Sequence, residues 1–220
     1  MSDALERARA GVKRLKVFPL PPVVLLPGSA APLHIFEPRY RELVKDAVAS
    51  DNLFALAQVL PGQESLMSGK PGLEDIVCIG AITMHEQLED GRSNLVLVGV
   101  VRARLLKELA AGTHLYREFE AELLEDERVE ANEDENLRRA VVELVARVPQ
   151  PVGQRVAQVT SRVTGGQLAD VVASTFMQDP AQRYEVLRET DVRARLEMVT
   201  EELLSLVGHI KPSKPTGLMN

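Results

Sequence analysis

Two periodicities divide the chain. From Val17 to Leu124 apolar residues come in short runs or alternate with polar ones, which is how strands read; beyond Leu137 they recur every three to four residues, as on amphipathic helices. In the first half, Val23-Val24-Leu25-Leu26 is a short extended run stopped by the turn pair Pro27-Gly28, and Leu33 to Phe36 is another. Pro38 opens an isolated helix, because a proline in the first turn sacrifices no helical hydrogen bond, and Tyr40, Leu43, Val44, Ala47 and Val48 share one face. Leu53 to Leu60 reads as a strand ended by Pro61-Gly62. Ile76 to Leu88 and Leu95 to Leu106 flank Glu89-Asp90-Gly91-Arg92, whose Asp-Gly pair predicts a tight antiparallel hairpin. Leu95 to Val101 is continuously apolar and predicts a strand covered on both faces, after which Arg102 and Arg104 predict one face meeting water. Leu115, Phe119, Ala121 and Leu123 alternate with polar residues in a closing strand.

In the second half, Leu137, Val141, Leu144, Val145 and Val148 form one helical stripe, and Val152, Val156, Val159 and Val163 a second, with Pro149 and Pro151 between them. Gly165-Gly166 breaks the pattern before Leu168, Val171, Val172 and Phe176 resume it. Asp179-Pro180 predicts an N-cap with a first-turn proline, and Leu196, Val199, Leu203, Leu206, Val207 and Ile210 predict a long final helix. Between Glu118 and Glu135 ten acids meet one base, Arg128, which marks a solvated linker. The division expected from these patterns is a polar leader at 1–16, a β-rich domain at 17–125, an acidic linker at 126–135, a helical bundle at 136–210 and a flexible tail at 211–220. The five cations from Arg7 to Lys16 read as a solvated leader, with an amphipathic first helix as the alternative.

Composition narrows the chemistry. With no tryptophan and 4% aromatic residues, base stacking and aromatic cages are poorly supplied. The net charge of −6 and the lack of a clustered basic surface argue against nucleic-acid binding. One cysteine, Cys78, excludes a disulfide framework, and its place in an apolar strand predicts a buried thiol, not a nucleophile. The start of the chain lacks a signal-peptide core and no apolar run is long enough to span a membrane, so a cytoplasmic protein is expected.

No catalytic motif stands in the sequence. Gly62 to Gly69-Lys70 has the wrong spacing for a phosphate-binding loop and is followed by Pro71, and there is neither G-x-S-x-G nor G-x-G-x-x-G. His34, His85, His114 and His209 are scattered without metal-ligand spacing. No catalytic residue, cofactor or metal site is expected.

The words Phe18-Pro19-Leu20, Leu26-Pro27-Gly28 and Pro32-Leu33-His34-Ile35-Phe36-Glu37-Pro38-Arg39-Tyr40 strongly resemble the opening of the Lon amino-terminal domain family, especially its stand-alone and cereblon-like members. The resemblance continues through Val77-Cys78-Ile79-Gly80-Ala81-Ile82 and Leu97-Val98-Gly99-Val100-Val101-Arg102, and more loosely through Leu168-Ala169-Asp170 and Leu187 to Leu196. It implies an α+β fold, a PUA-like β pseudobarrel with one inserted helix followed by an all-α helical bundle. It also implies recognition of polypeptide substrates. The motor and peptidase residues of full-length Lon have no counterparts here, so the expected protein is a non-catalytic binding module for unfolded or specific polypeptides, as adaptor or regulator of a protease. Phe36 and Tyr40 are expected to anchor the helix to the barrel, with Glu37 and Arg39 holding a local junction.

Binding is sought in a loop on the barrel. Pro61 to Gly72 is the longest connection rich in Gly, Pro and Ser, and Leu66 and Met67 are its candidate partner-binding residues, an adaptable apolar grip. The alternative is an RNA-binding PUA-like protein with a basic groove assembled from Arg39, Arg102 and Arg104. Self-association through apolar helical stripes is a further expectation.

Overall fold

The computed structural model describes residues 2–67, 69–110, 112–130 and 132–209; Met1, Ile210 at the end of the last helical stripe, and the expected tail at 211–220 lie outside the described residues. The chain separates into two compact units, Met1–Glu125 with Gln178–Arg188, and Asp126–Met177 with Glu189–Asn220. It is a mixed α+β protein whose β-sheet unit precedes most of its helices.

The first unit is built on six strands: β1 (Leu15–Pro19), β2 (Ala30–Ile35), β3 (Leu53–Ala57), β4 (Ile76–Gln87), β5 (Ser93–Glu108) and β6 (Arg117–Leu124). The sheet order is β2-β5-β4-β3-β1-β6, and a further β5–β6 pairing closes β5, β4, β3, β1 and β6 into a ring. A ring of so few strands is narrow, and the sequence supplies small side chains to fill it. Ala55, Ala57, Ala81, Ala103 and Ala121 join Val17, Val77 and Ile79 in its buried cluster. β2 lies outside the ring, paired only with β5.

The ring closes because β5 is long enough to serve three neighbours. Its first half pairs with β2 and its second with β6, while β4 follows it from Ser93 to Arg104. The bend needed between these halves is absorbed by register shifts at Ile79/Gly80 and Ile82/Met84. The β4–β5 turn forms as its residues predict: Gly91 adopts φ +77° and Leu88 N–H donates to the Arg92 carbonyl at 2.8 Å.

Three helices belong to this unit: α1 (Ser2–Gly11), α2 (Pro38–Val48) and α6 (Pro180–Arg188). The 1–16 leader is therefore not simply solvated. Ala8 is buried in the barrel cluster, and Ala4 and Leu5 pack against it, while Arg9 faces out to Glu125. α2 buries Tyr40, Leu43, Val44 and Ala47, and leaves Val48 exposed at its end. Val23 to Leu26 is not a strand; Leu25 and Leu26 are buried, and the segment is tied to β5 by Gly28 N–H donating to the Gly99 carbonyl at 2.9 Å.

The second unit contains α3 (Glu135–Val145), α4 (Gln150–Thr160), α5 (Gly165–Phe176) and α7 (Val192–His209). α7 buries Leu196, Val199, Leu203 and Val207, and it packs on α3 and α5. The expected second stripe is only partly covered, since Val156 is buried but Val152 and Val159 are exposed.

The acidic stretch is in part the exposed connection expected, since Glu125 to Arg128 and Glu130 are exposed outside any helix or strand, and in part anchored. Its first part is β6, and its later acids are held by arginines: Asp126 by Arg195, Glu133 by Arg193, and Asp134 by Arg138. Asp134 is buried and also accepts the Gly165 N–H at 2.9 Å. Burial opposes its charge, yet the Arg138 guanidinium and the Gly165 N–H hold its carboxyl below the usual carboxylate range. A depressed folded pKa stabilises above the unfolded value of about 3.9 and is lost as pH falls through the folded one. Asp134→Ala, which leaves the Gly165 N–H without its acceptor, is expected to cost about 2 kcal/mol at pH 7. The gap from wild type should narrow below about pH 4 in urea denaturation; a gap constant with pH would show that the carboxylate charge contributes nothing.

Candidate functional site

The face of β2, β5 and β4 opposite Leu33, Leu95 and Leu97 is where the apolar pattern is left uncovered. Along β5, Leu95, Leu97, Gly99 and Val101 are buried, whereas Val96, Val98 and Val100 are only partly so. The expectation of a strand covered on both faces is thus corrected: nothing among the described residues fully covers the second. Cross-strand registry places Pro32 beside Val96 and Val96 beside Met84, giving an apolar row across three strands. The next row is polar, with His34 Nδ1 2.7 Å from Asn94 Oδ1 and Asn94 Nδ2 donating to Glu86 Oε2 at 3.3 Å. Together they bound a shallow groove of about 440 Å³.

Phe36 extends this face. It was expected to anchor α2, but it is 59% exposed and stacks beside the His34 ring at 6.2 Å. Of the two aromatics it is Tyr40 that anchors the helix, its buried ring stacking on Phe18 at 3.9 Å. The reason is the alternation of β2: Ala31, Leu33 and Ile35 point inward, so the even positions Pro32 and His34 point out, and Phe36 follows them. Met84, 67% exposed, reaches the same face after the register shift that precedes it. Pro32 also removes an N–H from an edge strand, which blunts strand addition and leaves side-chain contact as the chemistry of this surface.

The 61–72 loop is more ordered than a free tether. Gly72 N–H donates to Gln63 Oε1 at 2.6 Å, and Leu60 N–H to the Gly72 carbonyl at 3.0 Å, closing its stem. Leu66 is 51% exposed at the end of a single 3-10 turn, while Met67 is half-buried, its carbonyl accepting from Arg39 Nη2 at 2.5 Å. Gly69 and Lys70 reach the rim of a cleft of about 300 Å³ that Tyr40, Glu108 and Arg117 also line. There the Arg117 fork binds Glu108 at 3.0 Å through each oxygen and holds that carboxyl below its ordinary range. The buried Tyr40 hydroxyl has no hydrogen-bond partner among the described residues; burial pushes its pKa up to about 12, keeping it a neutral donor.

The three arginines of the basic-groove alternative are not assembled into one. Arg102 was expected at water but is 2% exposed, donating to the carbonyls of Leu187 and Val186 at 2.9 and 3.1 Å. Arg104 pairs with Glu122 and Arg39 with Glu37. The Glu37–Arg39 junction is as the sequence reading has it, and Cys78 is a buried core thiol. Leu115, assigned to the closing strand, lies before it and is exposed; Tyr116 is the buried neighbour.

The chain thus combines a small closed barrel carrying an inserted helix and an apolar face at a blunted edge with a helical unit after it in sequence. The chain belongs to the family described as the ATP-dependent protease La (LON) substrate-binding domain, whose model matches residues 14–205. It is 26% identical over 190 residues to a Lon protease of Desulfosudis oleivorans, covering 85% of this chain and 23% of that one. Over 210 residues it is 25% identical to the Lon protease of Escherichia coli K12, covering 91% and 26%. The chain therefore spans about a quarter of the length of these relatives. In fold it is similar to the N-terminal domain of a Mycobacterium avium complex Lon protease, with TM-score 0.69, 18% identity and coverage of 87% and 98%. A Lon N-terminal domain protein from Xanthomonas campestris aligns with TM-score 0.58 and 24% identity, covering 87% and 97%. Among the described residues no helix is long and apolar enough to cross a membrane.

Proposed function

We propose that this chain is a non-catalytic polypeptide-recognition module that holds apolar segments of unfolded proteins on the face formed by Pro32, Phe36, Met84 and Val96, and serves a protease as adaptor or regulator. The observation that carries the reading is the partly exposed apolar row Pro32, Val96 and Met84 on three paired strands, with exposed Phe36 on the same face beyond the polar row of His34 and Asn94. Large apolar side chains gathered on one exposed face are a feature of interaction surfaces, and the family's substrate-binding description supplies the class of partner. Leu66 and Met67 form a second, weaker contact, because Leu66 is exposed but Met67 is half-buried and its carbonyl is engaged.

Fluorescence anisotropy with labelled casein, an unfolded polypeptide, tests this directly. Burying a large apolar side chain is worth about 1.5–3 kcal/mol when complete, so Phe36→Ser with Met84→Ser is expected to weaken binding by about tenfold or more. Leu66→Ser with Met67→Ser should weaken it by about threefold. Unchanged affinity in the Phe36/Met84 variant would overturn the site, and no binding by the wild-type chain would overturn the function. Sedimentation of the same variants separates substrate binding from self-association: loss of a dimer without loss of casein binding would assign the face to a second copy.

A further inference from the structure

We propose that Glu42, Asp46 and His114 form a binding site for a zinc ion. Glu42 and Asp46 stand one helical turn apart on α2, and His114 comes from the connection between β5 and β6. One ligand atom of each lies within 4.8 Å of the other two, and all three side chains are partly buried. The His spacing that argued against a metal considered imidazoles alone; here two carboxylates complete the set.

The distances favour a shared cation over an ion pair. His114 Nδ1 lies 3.4 Å from Glu42 Oε1 and 3.4 Å from Asp46 Oδ2. A charge-assisted N–H···O bond contracts to about 2.7–2.9 Å, so 3.4 Å is long for a direct ion pair with either oxygen. Zinc–nitrogen and zinc–oxygen bonds of about 2.0–2.2 Å place neighbouring ligands of a tetrahedron about 3.4 Å apart. Both separations therefore have the length of tetrahedral edges. One imidazole with two carboxylates is also a donor set for a borderline cation such as zinc, whereas magnesium and calcium take oxygen ligands.

Hydrogen bonds from the β5–β6 connection hold both carboxylates in place. The Leu115 N–H donates to Glu42 Oε2 at 3.2 Å, leaving Oε1 to face His114. Tyr116 Oη donates to Asp46 Oδ2 at 2.9 Å, the oxygen that faces His114, and so fixes the direction of that carboxylate. The His114 ring stacks on Tyr116 with centroids 4.9 Å apart, which fixes the direction of its nitrogens. His114 and Tyr116 also line the cleft beside the 61–72 loop, where a fourth ligand can enter. A bound ion would cross-link the β5–β6 connection to α2.

The test is titration of the untagged, chelator-treated full chain with zinc chloride, read by calorimetry and by thermal denaturation, with cobalt(II) as the spectroscopic probe. One equivalent of zinc is expected to bind and raise Tm, and cobalt should give the visible absorption of a tetrahedral site. His114→Gln and Glu42→Gln should each weaken zinc binding by at least about tenfold, and Tyr116→Phe by about tenfold through loss of the outer support. Circular dichroism of the metal-free variants establishes that they fold. Absence of stoichiometric zinc binding by the wild-type chain, or binding unaltered in folded His114→Gln, overturns the proposal and leaves the triad a hydrogen-bonded cluster that ties the β5–β6 connection to α2.

Discussion

Arg102→Met is expected to lower stability by about 3 kcal/mol and to release the segment Pro180–Arg188 from the barrel. Arg102 projects from β5 and is 2% exposed, and its guanidinium donates to the carbonyls of Val186 and Leu187 in the last turn of α6. Those carbonyls have no partners within their own helix, and they lie at the negative end of its dipole. The arginine thus caps α6 and joins it to the barrel in one contact. Hydrogen bonds from a charged donor contribute about 1.5–3 kcal/mol each, and methionine preserves the length of the side chain while removing both. Urea denaturation would read the loss, and hydrogen exchange should show protection falling in α6 before the strands. Unchanged stability would mean that replacing a buried charge with an apolar chain compensates for the lost caps.

Gly99→Ala is expected to cost about 3 kcal/mol or more, an unusually large effect for one methyl group. A β-carbon at this position would overlap the backbone carbonyl oxygen of Leu26 and stand 3.1 Å from Cys78 Sγ. The obstruction is main chain, so no rotamer change relieves it. Gly99 N–H donates to the Ser29 carbonyl and its own carbonyl accepts the Gly28 N–H, both at 2.9 Å, so displacing the 26–29 segment breaks two backbone bonds. It also drags the buried Leu25 and Leu26 outward. Gly112→Ala, where a β-carbon meets nothing within 4 Å, is the control and should stay within about 0.5 kcal/mol of wild type. Equal effects at the two positions would show that backbone entropy, not the close approach, is what matters.

Arg102 and Gly99 both lie on β5, and both carry the difference between what was legible in the residues and what was not. The Asp-Gly hairpin, the Pro38 helix entry, the Asp179 cap and the α7 stripe were legible because each is written in adjacent or periodically spaced residues. Arg102 was read as solvent-facing because an arginine alternating with alanine and leucine normally is. Its burial depends on α6, more than eighty positions along the chain, arriving with two uncapped carbonyls.

The candidate site was less legible than the fold. A loop rich in Gly, Pro and Ser drew attention to Leu66 and Met67, but its stem is closed by hydrogen bonds from Leu60 and to Gln63, and Arg39 holds the Met67 carbonyl. The apolar face was overlooked because Val96 and Val98 lie in a run that looks like the interior of a sheet. The signal available was the length of that run together with Phe36 and Met84 falling outside the inward positions. No periodicity states which face of a strand finds a cover.

What the amino-acid sequence by itself determined is most of the order of elements, the α+β class, the family and the absence of familiar catalytic motifs, since these rest on local spacing and contiguous words. The tertiary structure alone decided that β5 closes the ring while leaving Val96 uncovered, that Arg102 caps a distant helix, and that His114 meets two carboxylates of α2. Each of these is a meeting of residues far apart in the chain, and the energy that fixes it, burial or a completed hydrogen bond, exists only once both partners are in place.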